Sequence, residues 1–177
     1  MPGRIDTSLP FRPLNIAILT VSDTRGAADD RSGDTLVALL EKAGHRLVER
    51  DIVRDEQALI AERFKAWAKR EDIEVILSTG GTGVTGRDVT PEALDAVADK
   101  KIPGFGELFR WLSFEKIGTS TIQSRADAGL VDGTYVFILP GSPGACRDAW
   151  EGILESQLDI RHRPCNFAEM MPRLRES

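Results

Sequence analysis

Between Glu74 and Pro91 the chain runs from a short apolar segment straight into a glycine-rich turn, and this passage constrains the fold more than any other. Glu74 to Leu77 is bounded by turn residues and reads as a buried strand. The chain then meets Gly80, Gly81, Gly83 and Gly86 within seven residues, where backbone can turn sharply and approach a ligand closely. Thr90-Pro91 has the order of an N-cap followed by proline at the first helical position, so a helix is expected to begin there. Strand, glycine loop, acidic Asp88 and helix start together form a place to hold a phosphate and a metal ion. A tight strand-to-helix connection with no ligand is the alternative that the glycines alone leave open.

Two nucleotide motifs can be tested on this loop. It lacks the Gly-Lys-Ser/Thr ending of a Walker P-loop. Gly81-x-Gly83-x-x-Gly86 satisfies the dinucleotide pattern literally, but that fingerprint opens its helix within the glycines of the first βαβ unit. Here the helix start falls later, at Thr90, and two strands are expected before the loop, so the match reads as accidental.

The rest of the chain alternates strands with helices. Asn15 to Val21 is an apolar run ending in Ser22-Asp23-Thr24-Arg25. Ser32 is expected to cap a helix with Leu36, Leu39, Leu40 and Ala43 on one face and Gly44 as its stop. Arg46 to Val53 reads as a second strand, and Asp55 stands where an N-cap belongs, before a helix carrying Ile60, Phe64 and Trp67. After the glycine loop come a helix over 91–99, an amphipathic stretch around 105–116 and a Ser/Thr-rich segment from Gly118 to Ser124. Tyr135 to Leu139 is a further strand, and Ser142-Pro143 opens a long helix burying Cys146, Ala149, Trp150, Ile153 and Leu154. This order predicts a three-layer α/β/α domain over 14–167, with a mostly parallel sheet covered by helices on both faces. Residues 1–13 are expected to be a flexible N-terminal arm, and 168–177 a C-terminal tail.

Parallel sheets of this kind place ligands outside the carboxyl ends of their strands. Four segments leave strands at that edge: Ser22-Asp23, Asp55, Gly80 to Asp88, and Gly141-Ser142. Asp55 and Asp88 are placed to share a magnesium ion, which takes one or two carboxylates and leaves its other positions to water and phosphate. A helix cap for Asp55 and a turn residue for Asp88 are the competing roles.

Composition narrows the partners. Hydrophobic residues make up 41% and charged residues 29%, with a net charge of −5 that argues against nucleic-acid binding. An acidic protein that takes a polyphosphate must supply local counter-charge through a cation, backbone N–H groups or a few arginines. Two cysteines, Cys146 and Cys165, give no disulfide framework and suit a reducing compartment. No apolar run reaches the roughly 20 residues of a membrane-spanning helix. No apolar signal core opens the chain, so a cytoplasmic location is expected. His162-x-x-Cys165 is half a metal site and is read as structural, and His45 follows a helix with no nucleophile beside it.

Several motifs in fixed order carry a family resemblance. They are Val-Ser-Asp-Thr-Arg at 21–25, Ser-Thr-Gly-Gly-Thr-Gly at 78–83, Arg-Asp-Val-Thr-Pro at 87–91, Ile-Pro-Gly-Phe-Gly-Glu at 102–107 and Leu-Pro-Gly-Ser-Pro at 139–143. With Gly118 to Asp127 and Arg-Pro-Cys-Asn-Phe at 163–167, the chain resembles the MoaB/Mog molybdopterin-binding family of molybdenum cofactor biosynthesis. The resemblance covers about residues 14 to 167 and implies an α/β/α fold assembled as a homotrimer or a homohexamer. It also implies adenylylation of the terminal phosphate of molybdopterin with Mg-ATP. Carried over by motif, Gly80, Gly81, Thr82 and Gly83 would hold phosphate, and Asp55 and Asp88 would serve magnesium and catalysis. Ser113, Ser124 and Arg125 would lie near the pterin, and Ser22, Gly141 and Ser142 near the nucleotide. Other proteins of the same pathway are expected as partners. A non-catalytic molybdopterin carrier is the alternative within the family, and a nicotinamide-dependent oxidoreductase is the alternative outside it.

Overall fold

The computed structural model describes residues 3–24 and 26–176, so Arg25 of the Val-Ser-Asp-Thr-Arg motif and the extreme ends of the arm and tail lie outside the described residues. In chain order the strands are β1 (Arg4–Ile5), β2 (Asn15–Val21), β3 (Arg46–Val53), β4 (Val75–Thr79), β5 (Lys100–Lys101), β6 (Asp127–Val131), β7 (Thr134–Leu139) and β8 (His162–Arg163). The helices are α1 (Arg31–Lys42), α2 (Gln57–Ala68), α3 (Thr90–Asp95), α4 (Pro103–Ile117), α5 (Pro143–Ala149), α6 (Glu155–Gln157) and α7 (Phe167–Met170).

Six strands form one sheet in the order β3-β2-β4-β7-β6-β5. The first four run parallel, and β6 and β5 add antiparallel at one edge. The mostly parallel α/β architecture expected from the sequence is therefore present. In β1, Arg4 and Ile5 pair antiparallel with Arg163 and His162 of β8, which joins part of the expected arm to the C-terminal region.

Both faces of the sheet are buried, which is why its central strands are mostly apolar. The period of two still sorts their side chains. Ile16 and Ile18 of β2 join Leu36, Leu40, Phe109, Phe137 and Trp150 in one core, beneath α1, α4 and α5. Ala17, Leu19 and Val21 join Ile60, Phe64, Trp67, Ala93 and Ile138 in the other, beneath α2 and α3.

Several local expectations are corrected. Asp30, not Ser32, caps α1: its carboxylate accepts from Gly33 N–H at 3.0 Å and from Thr20 Oγ1 at 2.7 Å, fully buried and paired with Arg50. Gly44 does stop that helix, at φ +89°. Asp55 is not a cap, because α2 begins at Gln57 and its capping position is Glu56. Thr90 sits inside α3, one residue beyond the capping position at Val89, and Thr90 Oγ1 donates to Gly80 O at 2.9 Å. That helix stops at Asp95 rather than 99, and the chain continues into β5, which the sequence reading did not foresee.

The β6–β7 hairpin was also not foreseen. Asp132 and Gly133, at φ +47° and +73°, form its two-residue turn between Val131 and Thr134. Asp-Gly between apolar runs is a strong hairpin signal and was available in the sequence. Ser142 does cap α5, accepting from Ala145 N–H at 3.2 Å with Pro143 behind it. The helix then widens into a π-type turn over Trp150–Leu154, with Trp150, Ile153 and Leu154 all buried.

Candidate functional site

All four strand exits open into one cavity of about 720 Å³ at the carboxyl end of the parallel strands. Ser22 and Asp23 enter it after β2, Asp55 after β3, Gly80 to Gly83 and Asp88 after β4, and Gly141 and Ser142 after β7. The opposite wall is helical: Phe109, Ser113, Lys116 and Ile117 of α4, then Gln123 and Ser124, with Ala145 and Asp148 of α5.

The glycine loop owes its shape to two left-handed residues. Gly80 has φ +106° and Gly81 φ +64°, a region that side-chain-bearing residues rarely adopt. A Cβ at Gly80 would stand 2.1 Å from Val21 O, and one at Gly81 would stand 2.3 Å from both Asp55 Oδ1 and Thr90 Oγ1. The glycines thus let the loop close onto Asp55. Gly83 does the same toward Asp88, whose Oδ2 would lie 2.7 Å from a Cβ there.

The two carboxylates have different surroundings. Burial alone would raise the pKa of Asp88, but hydrogen bonds from Thr85 N–H at 2.9 Å and Thr85 Oγ1 at 2.6 Å hold it lowered. Asp55 moves the other way, raised by burial first and then by the negative charges of Asp23 and Asp88. Among the described residues, Asp55 Oδ1 is buried and has no hydrogen-bond partner. A carboxylate oxygen in that condition is costly unless something positive meets it.

The remaining predicted residues are placed as follows. Thr82 is buried at the cavity wall, and its carbonyl accepts from Arg125 N–H at 2.9 Å. Ser113 and Ser124 line the helical wall. Ser22 Oγ accepts from Thr24 N–H at 3.3 Å, while Ser142 Oγ is engaged in capping α5. Arg125 is not brought to the cavity wall. Its guanidinium lies behind the loop, donating to Gly83 O and Asp88 O, both at 2.7 Å, and pairing with Glu92.

Two contacts of the site were missed. Asp23 accepts a two-pronged ion pair from Arg87, at 2.9 and 2.8 Å, and also accepts from Asp55 N–H at 3.2 Å. Asp23 had been noticed only as part of a strand exit. Lys116 and Asp148 pair across the helical wall, from α4 to α5. No local pattern reveals that contact, because two separate helices supply it. Lys116 is the one cationic side chain among the described residues of the lining, against Asp23, Asp55, Asp88 and Asp148.

No group of three or more His, Cys, Asp or Glu side chains among the described residues is arranged to hold a metal, and His162 and Cys165 are no exception. Two carboxylates on one wall suit instead a cation that completes its shell with water and ligand phosphates. Among the described residues, no helix is long and apolar enough to cross a membrane.

Comparison with known proteins agrees with this geometry. The profile of the family described as "Probable molybdopterin binding domain" matches residues 17–160. Molybdenum cofactor biosynthesis protein B of Escherichia coli (strain K12) is 52% identical over 160 residues, which are 90% of this chain and 94% of that protein. A crystal structure of a molybdenum cofactor biosynthesis protein B superposes with a TM-score of 0.84 at 39% identity, covering 94% of this chain and 98% of the other. The tungsten cofactor synthesizing protein MoaB from Pyrococcus furiosus superposes at 0.77 with 31% identity, covering 93% and 99%.

Proposed function

Because the chain belongs to the molybdopterin-binding family of molybdenum cofactor biosynthesis, we propose that it binds molybdopterin and transfers the adenylyl group of ATP to its terminal phosphate. In that reaction a phosphate oxygen of the pterin attacks the α-phosphorus of ATP. The bond from that phosphorus to the bridging oxygen breaks, and pyrophosphate leaves. Such a transfer asks the protein for positioning and charge stabilisation rather than for a nucleophile of its own. Asp55, through its unpartnered Oδ1, and Asp88 would hold magnesium, which supplies positive charge to the reacting phosphates. The loop from Gly80 to Gly83, with Thr82, receives phosphate. The wall of Phe109, Ser113 and Ser124 faces the pterin.

The observation that carries this reading is the buried, unpartnered Asp55 Oδ1, sharing a cavity with Asp88 beneath a glycine turn. Calorimetry with ATP, with and without magnesium, followed by mass spectrometry for adenylylated pterin, tests it. Asp88→Asn is expected to lower turnover on the order of a hundredfold while the protein stays folded. Binding of molybdopterin with no transfer by the parent protein would leave a carrier and remove the enzyme.

Assembly follows from the outer side of α4. Leu108, Trp111 and Phe114 are exposed there, with Ile122 just beyond the helix. A contiguous apolar stripe of this kind suits an interface between copies, and a trimer or a dimer of trimers is the arrangement we infer. A monomeric mass by light scattering at micromolar concentration would exclude it. Cys146 and Cys165, neither of them in a disulfide, fit a reducing, cytoplasmic setting.

A further inference from the structure

Asp55 follows an edge strand and belongs to no helix cap, so its own element does little to fix it. Neighbours from two other loops reach it: Val89 N–H donates to its carboxylate, and Asp23 Oδ1, after β2, accepts from Asp55 N–H at 3.2 Å. The Asp23 carboxylate is gripped by Arg87 through Nε at 2.9 Å and a terminal guanidinium nitrogen at 2.8 Å. Arg87 is the residue before Asp88. Asp55, Asp23, Arg87 and Asp88 therefore form one chain of contacts across three strand exits. The ion pair within it joins residues 64 apart in sequence, and the Asp55 contact joins residues 32 apart. We propose that Asp23 is a positioning residue for Asp55 and that its pair with Arg87 sets the spacing of Asp55 and Asp88 around the reacting phosphates. The proposal rests on the adenylyl-transfer reading of the same cavity.

Two physical points favour positioning over simple stabilisation. The Arg87 side chain is 62% exposed, and exposed ion pairs add little to folding. Its two-pronged geometry, in contrast, fixes direction as well as distance. Arg87 also neutralises a carboxylate that would otherwise stand as an uncompensated third negative charge beside Asp55 and Asp88, where a polyphosphate must approach.

The test uses the full-length chain with Asp23→Asn, Asp23→Ala, Arg87→Ala, Arg87→Lys and the double variant Asp23→Asn with Arg87→Ala. Asparagine keeps an oxygen for Asp55 N–H but loses the charge that Arg87 grips. Asp23→Asn and Arg87→Ala are each expected to lower kcat on the order of tenfold with KM for ATP unchanged, since small misplacements act on the reacting geometry. The double variant should be no worse than either single one, because both break the same pair. Arg87→Lys should recover part of the loss. Asp23→Ala should cost more and should speed hydrogen exchange at the Asp55 amide, which Asp23→Asn should leave slow.

A raised KM with unchanged kcat would make Arg87 a ligand contact and overturn the proposal, as would multiplying losses in the double variant. The exchange measurement needs no turnover. If the parent protein transfers no adenylyl group, the function reading fails by itself. Positioning of Asp55 by Asp23 is then overturned only if Asp23→Ala leaves exchange at the Asp55 amide unchanged, and upheld if it does not.

Discussion

The two ends of the parallel sheet are built on opposite rules. At the carboxyl end the strands stop in loops held by ion pairs and left-handed glycines, around an open cavity with a buried carboxylate oxygen left unpaired. At the amino end the same strands begin in closed packing. Leu14 N–H donates to His45 Nδ1 at 3.1 Å, and the His45 ring lies 5.2 Å from that of Phe11 and 6.0 Å, edge-on, from that of Trp150. Tyr135, at the start of β7, packs 4.9 Å from Phe167. The unpartnered Asp55 oxygen thus borders an open cavity, while the unpartnered Tyr135 hydroxyl is sealed within apolar packing at the far end. Stability and chemistry then become separable by mutation.

Trp150→Ala should give the largest effect. Trp150 is 1% exposed, and truncating a buried aromatic costs roughly 3–5 kcal/mol. Urea denaturation should show that loss, while calorimetry with magnesium and ATP should give the folded variant the same result as the parent. An equal loss of ligand affinity would show that the two ends are coupled and break the contrast.

The next effect is a pH dependence. Burial drives the pKa of His45 down to about 4, against a partial upward pull from Asp159, which is itself paired with Arg161. The folded value lies below the unfolded one near 6.5, so the unfolded chain binds the proton first. Stability from this group is complete above about pH 6.5 and is lost as pH falls toward 4, by at most about 3 kcal/mol. An NMR titration placing His45 near 6.5 would remove this contribution and open the amino end to water.

The smallest effect is a gain. Tyr135 is 1% exposed, its hydroxyl has no hydrogen-bond partner among the described residues, and burial pushes its pKa up to about 12. Tyr135→Phe should leave stability unchanged or raise it by up to about 1 kcal/mol, because an unpaired buried hydroxyl is costly. A clear loss in the same denaturation experiment would mean that the hydroxyl is satisfied and that the amino end is wetter than its packing indicates.

Much of the fold was legible in the chain. Asn15 to Val21 and Arg46 to Val53 became β2 and β3 with those bounds, and the glycine loop fell between a strand and a helix as expected. The caps were less legible. Ser32, Asp55 and Thr90 each sit within two residues of a helix start and have suitable side chains, but tertiary partners displaced them. Asp30 won the cap of α1 because Thr20 and Arg50 satisfy its other oxygens. Asp55 was drawn toward the glycine loop, and Thr90 toward the Gly80 carbonyl. Arg125 is the sharpest case at the site, since its motif points to the pterin while its guanidinium clasps the loop from behind.

The sequence by itself determined the alternation of elements, the sheet edge onto which the loops open, the glycine loop after β4 and the family. These follow from short-range rules: periodicity, glycine freedom and motif spacing. Only the tertiary structure decided that Asp55 Oδ1 is left unpaired, which arginine grips Asp23 and which braces the loop, and that Lys116 meets Asp148. Those outcomes depend on groups from distant loops and helices competing for the same partners, and the competition is settled only when the sheet brings its strand exits together.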